Sequence, residues 1–226
     1  MSGYLQIILN NNTLSQDFKY FRTRNYPFLT EENKALRLVY AIENLGNNFD
    51  NFVYVDESTT RTLEIPLYQW RLPSTQSFMR IPKRTNTKAK VNVFAAISWR
   101  GASPFITFTN NLNSDGYCEI INNYLIPFIS ERYDFNCIMH QDNAPCLKSR
   151  QSLNTIIDNG VAFQPAPPYS PDFNPIEPMW NDMKAFIAKR FCQTTDEVVK
   201  TIGHYAESIT IEKCRNFISN LNTVRF

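Results

Sequence analysis

Residues Val91–Trp99 (VNVFAAISW) form a nearly continuous apolar run, closed by Arg100-Gly101. A short apolar run ending at a turn signal reads as a strand. It needs strand neighbours, and the flanking sequence supplies them. Asn51–Asp56 (NFVYVD) alternates, which puts Phe52, Tyr54 and Asp56 on one face and Val53 and Val55 on the other. Thr59–Tyr68 is rich in β-branched residues and should return as a second strand. Pro104–Thr109, Phe135–His140 and Val161–Gln164 complete the candidate strands.

Helical periodicity marks the remaining segments. Glu31–Asn44 follows a plausible N-cap at Thr30, has acids in its first turn, and can end at Gly46. Asp115–Tyr133 and Leu147–Asn159 have helical spacing. In Ile176–Phe191, Met179, Trp180, Met183 and Ile187 share one stripe. Two more helices are expected near Asp196–Ser208 and Ile211–Leu221. Strands come first, then helix and strand alternate, then helices follow. This order predicts an α/β fold with a mixed central sheet flanked by helices.

With 226 residues, 43% of them apolar and 14% aromatic, the chain can build one sizeable core, and disorder throughout is excluded. The net charge of +2 does not by itself announce a nucleic-acid binder, so any such contact must come from a local patch. Residues 80–90 are one: Arg80, Lys83, Arg84, Lys88 and Lys90 occur there with no acid. This stretch reads either as a solvated loop or as a contact to a phosphate backbone. Five cysteines without a CxxC pair argue against a disulfide framework, and two histidines give poor support for zinc. Cys146 lacks a suitably spaced histidine and reads as inert. No apolar run approaches the ~18 residues of a membrane span, and no signal peptide is evident. A reducing compartment, cytosol or nucleus, is the expectation.

Three acids stand out by position. Asp56 ends the alternating NFVYVD run, Asp142 lies just beyond an expected strand in Gln141–Pro145 (QDNAP), and Glu177 opens a helix after the proline-rich Pro165–Pro175. Each alone has an ordinary reading, as a turn residue, a helix cap or a first-turn acid. At the rim of an α/β sheet, however, a carboxylate needs a cation or a donor. A cluster of carboxylates suits phosphoryl transfer, in which two divalent ions roughly 3.5–4 Å apart serve the attacking and leaving oxygens. Magnesium prefers such oxygen ligands. Glu57, Asp172 and Asp182 read as surface or turn acids.

The segments Val55–Ser58 (VDES), Gln141–Pro145 (QDNAP) and Ser170–Trp180 (SPDFNPIEPMW) together resemble the signatures of the Tc/mariner transposase superfamily. The 34 residues between Asp142 and Glu177 resemble its Tc branch. Val91–Gly101 is similar to the family's central strand, and Pro27–Asn44 to the stretch that joins its DNA-binding region to the catalytic domain. The resemblance covers roughly residues 27–222.

It implies an RNase H-like fold and a DDE catalytic domain over residues 51–226, preceded over residues 1–50 by an arm and linker helix. It implies that Asp56, Asp142 and Glu177 hold Mg²⁺ or Mn²⁺, two ions in all. It also implies phosphodiester hydrolysis at transposon ends, then attack of the freed 3′-hydroxyl on TA-containing target DNA, by a nuclear homodimer. Members carry paired helix-turn-helix domains before the catalytic domain, and the roughly 50 residues before Asp56 are too few for them. Leu147 stands where relatives often have histidine, and Ala95-Ala96 where Gly-Gly is frequent. The rival expectation is therefore an inactive or domesticated remnant acting as a DNA-binding or protein-interaction module.

Overall fold

The computed structural model describes residues 29–62, 90–142 and 149–223. Helix α1 spans Glu31–Glu43, and Thr30 caps it by accepting from the Asn33 N–H at 3.2 Å. The strands are β1 (Phe52–Arg61), β2 (Lys90–Ser98), β3 (Gly101–Ala102), β4 (Ile106–Phe108), β5 (Ile138–Gln141) and β6 (Ala162–Pro165). Their order is β3-β2-β1-β5-β6, with β4 also pairing β2. The pairings β1–β2, β2–β3 and β2–β4 are antiparallel, while β1–β5 and β5–β6 are parallel. The mixed sheet expected from the element order is present among the described residues.

Helices cover both faces. On one, Phe52 and Tyr54 of β1 and alternate residues of β2 pack with α5 (Ile176–Ala188), α6 (Thr195–Glu207) and α7 (Ile211–Ser219). On the other, Val53, Val55, Phe94 and Ala96 pack with α2 (Ser114–Ile120), α3 (Ile126–Tyr133) and α4 (Arg150–Asp158). The alternation in NFVYVD thus sorts side chains between two cores. Each fully buried large side chain contributes about 1.5–3 kcal/mol.

Three sequence expectations about these elements need correction. No strand begins anew at Thr59: β1 runs unbroken through Glu57-Ser58 to Arg61, paired with β2 from Val53↔Ser98 to Arg61↔Lys90. No glycine, proline or asparagine stands at 57–58 to turn the chain. The rest of the expected Thr59–Tyr68 strand, from residue 63 on, lies outside the described residues. Second, the expected Asp115–Tyr133 helix contains a π turn at Ile121–Leu125, where the Ile126 N–H reaches back five residues to the Ile121 carbonyl. Pro127 supplies the reason: it has no N–H to continue the α ladder, and a wider turn accommodates its ring. Helix α5 also stops at Ala188, short of Phe191, which adopts a left-handed φ of 51°.

Candidate active site

Asp56 does not end its strand. It is the fifth residue of ten in β1. It reaches the rim because the neighbouring strand ends first. The last parallel pair is Val55↔Gln141, so Asp142 leaves β5 one register step on, alongside Asp56. Adjacent strands lie about 4.8 Å apart, which brings these two backbones together. After β6 the chain crosses back over this rim, with the Ala166 N–H donating to the Gln141 carbonyl at 2.8 Å. It then runs through Pro167-Pro168-Tyr169-Ser170 and a 3₁₀ turn at Pro171–Phe173 into α5, which carries Glu177 in its first turn. Asp56, Asp142 and Glu177 line one open pocket of about 520 Å³, walled by Ala166–Pro171 and Asn174.

Asp56 is 9% exposed. Its Oδ1 accepts from the Glu57 N–H at 2.8 Å, and its Oδ2 from the Trp180 indole Nε1–H at 3.1 Å. The residue opposite on β2 is Ala95, whose small side chain leaves the space over Asp56 to the indole. Burial, then the charges of Glu177 and Asp142, push the Asp56 carboxyl up to about 8, against the pull of its two hydrogen bonds. Burial also raises Glu177, with Lys184 opposing and Asp142 adding to the rise. Burial raises Glu57, with Lys90 opposing and Asp142 reinforcing. Asp56 is thus both buried and repelled by its neighbours, which favours a divalent cation beside it, while Asp142 is exposed and Glu177 half-buried. Among the described residues, no three Asp, Glu, His or Cys side chains already form a set of ligands closed around one point. The fit to a cation rests on the shared pocket, its all-oxygen donors and their mutual repulsion.

Arg37 of α1 fastens the segment that bears the pocket wall. Its guanidinium grips Asp172 with both nitrogens, at 2.8 and 2.6 Å. It also donates to Ser170 Oγ at 2.8 Å and to the Tyr169 carbonyl at 3.4 Å, and it lies over the Phe173 ring at 4.8 Å. Arg37→Ala should cost about 1–2 kcal/mol, since the pair is partly solvent-screened but the fork is bidentate. Arg37→Lys should recover only part of this, because an ammonium cannot reproduce the fork. Chemical denaturation of the three proteins checks the order, and equal stabilities would rule the staple out.

Several site-region residues were not legible as such in the sequence. Trp180 is core, 1% exposed, as its place on the α5 stripe implied, but its N–H also fixes Asp56. The available signal was that a buried indole needs a hydrogen-bond acceptor, and that Trp180 follows Glu177 by three residues on one helix face. Asn174, 5% exposed, accepts from the Ile176 N–H at 3.4 Å, which leaves its amide nitrogen as a donor at the pocket wall. Asp172 and Asp182 are not merely solvated. The first pairs with Arg37. The second holds Lys213 at 2.7 Å and the Tyr205 hydroxyl at 2.9 Å. His140 is fully buried between the rings of Tyr40 and Tyr54, and burial drives its imidazole down to about 4, so it is neutral. Of the basic stretch, Lys90 is exposed at the start of β2 and donates to Asn111 Oδ1 at 3.3 Å. Arg80, Lys83, Arg84 and Lys88 lie outside the described residues, as do Cys146 and Leu147. Among the described residues, the helix that follows Asp142 is α4, which starts at Arg150 and is capped by Ser149.

Residues 51–199 match the family described as DDE superfamily endonuclease. The Tc3 transposase of Caenorhabditis elegans is 27% identical over 164 residues, covering 70% of this chain and 49% of the relative. The Tcb1 transposase of Caenorhabditis briggsae is 24% identical over 165 residues, covering 70% and 60%. The chain thus spans about half the length of the first of these relatives. Among solved structures, the Mos1 mariner paired-end complex with Mn superposes with a TM-score of 0.76 at 15% identity, covering 92% of this chain and 65% of that one. The catalytic domain of Mos1 mariner transposase gives 0.67 at 17% identity, covering 88% and 93%. At such identities the likeness establishes the fold, which is RNase H-like.

Proposed function

The chain belongs to the DDE superfamily endonucleases as a Tc/mariner transposase domain, and from that premise we propose that it breaks and rejoins DNA phosphodiesters with divalent metal held by Asp56, Asp142 and Glu177. The observation that carries this reading is the single pocket lined by all three acids, with Asp56 buried and repelled by the other two. A bound Mg²⁺ or Mn²⁺ would offset that repulsion, admit an anionic phosphodiester and polarise its attacking and leaving oxygens.

The chain's own part is positioning. Trp180 and the Glu57 N–H hold the Asp56 carboxylate in one orientation. Asn174 offers an amide donor to a phosphate oxygen. Water or a DNA 3′-hydroxyl is the nucleophile, so no side chain need attack. Residues 51–226 form the catalytic unit in this reading, and residues 1–50 the arm and linker helix that lead into it. The basic side chains Arg80, Lys83, Arg84, Lys88 and Lys90 would neutralise DNA phosphates. Supercoiled plasmid provides the test. Nicking should require Mg²⁺ or Mn²⁺ and vanish in Asp142→Asn, while the variant's circular dichroism stays that of wild type. Unchanged nicking by Asp142→Asn, or none by the wild-type chain with either ion, defeats the assignment.

A further inference from the structure

We propose that Tyr169 is a stacking platform for an unpaired nucleobase of the DNA strand whose phosphate enters the acidic pocket. The inference rests on the catalytic reading above for its ligand and adds a base-binding subsite to it.

Tyr169 lines the same pocket as Asp56, Asp142 and Glu177. It is 63% exposed, while Tyr40, Tyr54, Tyr117 and Tyr205 are buried in the cores. The fold therefore leaves this ring at the mouth of the site. Its placement is enforced by the backbone. Tyr169 has φ 54°, a left-handed conformation that a bulky residue rarely adopts and that persists only where the surroundings impose it. The restraints are present. Pro167 and Pro168 precede it and Pro171 follows. The Ser170 hydroxyl donates to the Pro168 carbonyl at 3.0 Å, and Arg37 holds both the Tyr169 carbonyl and Ser170 Oγ. Glycine or asparagine would take this φ with less strain.

A ring held at such a place suits a planar, uncharged partner. The carboxylates beside it repel phosphate unless a cation intervenes, but they do not repel the face of a base. Within duplex DNA both base faces are covered, so the partner must be unstacked, as at a nick or strand end. Base–aromatic stacking tolerates every base because each has a π face.

The test uses the full chain with a nicked duplex carrying 2-aminopurine as the terminal base at the nick, in Ca²⁺ to supply an oxygen-seeking cation. Wild type should change the 2-aminopurine fluorescence on binding, and Tyr169→Phe should do the same. Tyr169→Ala should abolish the change and weaken binding roughly 10- to 100-fold. Tyr169→Asn, which suits the left-handed backbone, should lose the signal with no loss of thermal stability. Retention of the signal in Ala and Asn, or its loss in Phe, overturns the platform. Plasmid nicking in Mn²⁺ is read separately. Nicking without a ring-dependent signal sinks the platform alone. A ring-dependent signal without nicking sinks the catalytic reading alone.

Discussion

Asp56→Asn should make the metal-free protein more stable at neutral pH and at the same time remove its nicking activity. The carboxyl rises from an ordinary 3.8 to about 8 on folding, with burial the main cause. The folded state therefore binds the proton more tightly than the unfolded state. Stability from this group is complete below pH 4 and is lost as pH climbs from about 4 to about 8. At pH 7 the loss is on the order of 4 kcal/mol. Asparagine ionises in neither state and so escapes this loss, but it cannot accept from both the Glu57 N–H and the Trp180 N–H, which returns about 1–2 kcal/mol of the gain. The net expectation is a Tm about 5–10 °C above wild type at pH 7 without metal, vanishing near pH 5 and reversed at pH 4. Adding Mn²⁺ should raise the wild-type Tm and leave the variant's in place. Nicking should fall by about a thousandfold or more, the equivalent of several kcal/mol of transition-state stabilisation. Scanning calorimetry across pH 4–8 checks the first half. A variant less stable than wild type at pH 7 would show that folding does not disfavour the ionised Asp56 carboxyl.

Trp180→Ala should be among the most damaging substitutions in the chain. The indole is 1% exposed, meets Phe105 edge-on at a ring separation of 5.9 Å, and sits in the core shared by β1, β2 and α5. Truncation of such a side chain costs about 3–5 kcal/mol, a large fraction of the 5–15 kcal/mol that holds a domain together. Trp180→Phe separates packing from hydrogen bonding. It keeps much of the ring but removes the donor to Asp56 Oδ2, at a cost nearer 1–2 kcal/mol. Because that donor holds the Asp56 carboxyl down, its loss raises the carboxyl further. Protons then compete better with metal. The acid limb of the pH–rate profile should move to higher pH in Trp180→Phe, and the shift should shrink as Mn²⁺ is raised. A purely structural tryptophan would lower the amount of folded protein without moving the profile.

What the sequence disclosed, it disclosed through short-range physics. The alternation around Phe52–Val55 sorted side chains onto two faces, and Met179, Trp180, Met183 and Ile187 marked the buried stripe of α5. Thr30 announced a helix start because its hydroxyl needs only the next turn. The three acids stood out because each lies in a short motif, although the strand end expected at Asp56 is absent from β1. What stayed hidden depends on long-range partners. The length of β1 is set by its pairing with β2, not by a signal at Glu57-Ser58. Arg37 and Asp172 are 135 residues apart, so nothing local links them. Trp180 reads as core from its spacing, and only the folded chain brings Asp56, 124 residues away, to its N–H. The left-handed turn at Tyr169 is also invisible beforehand, since tyrosine is a poor indicator of that conformation.

The three acids are anchored with unequal firmness, because Asp56 sits inside a ten-residue strand while Asp142 and Glu177 follow a strand end and a proline turn. Local opening favours segments with few buried contacts over a strand covered on both faces. Release of Arg37 from the turn would loosen the Glu177 side of the pocket while the sheet stayed whole. Integrity of the pocket and integrity of the fold are then separable properties of this chain.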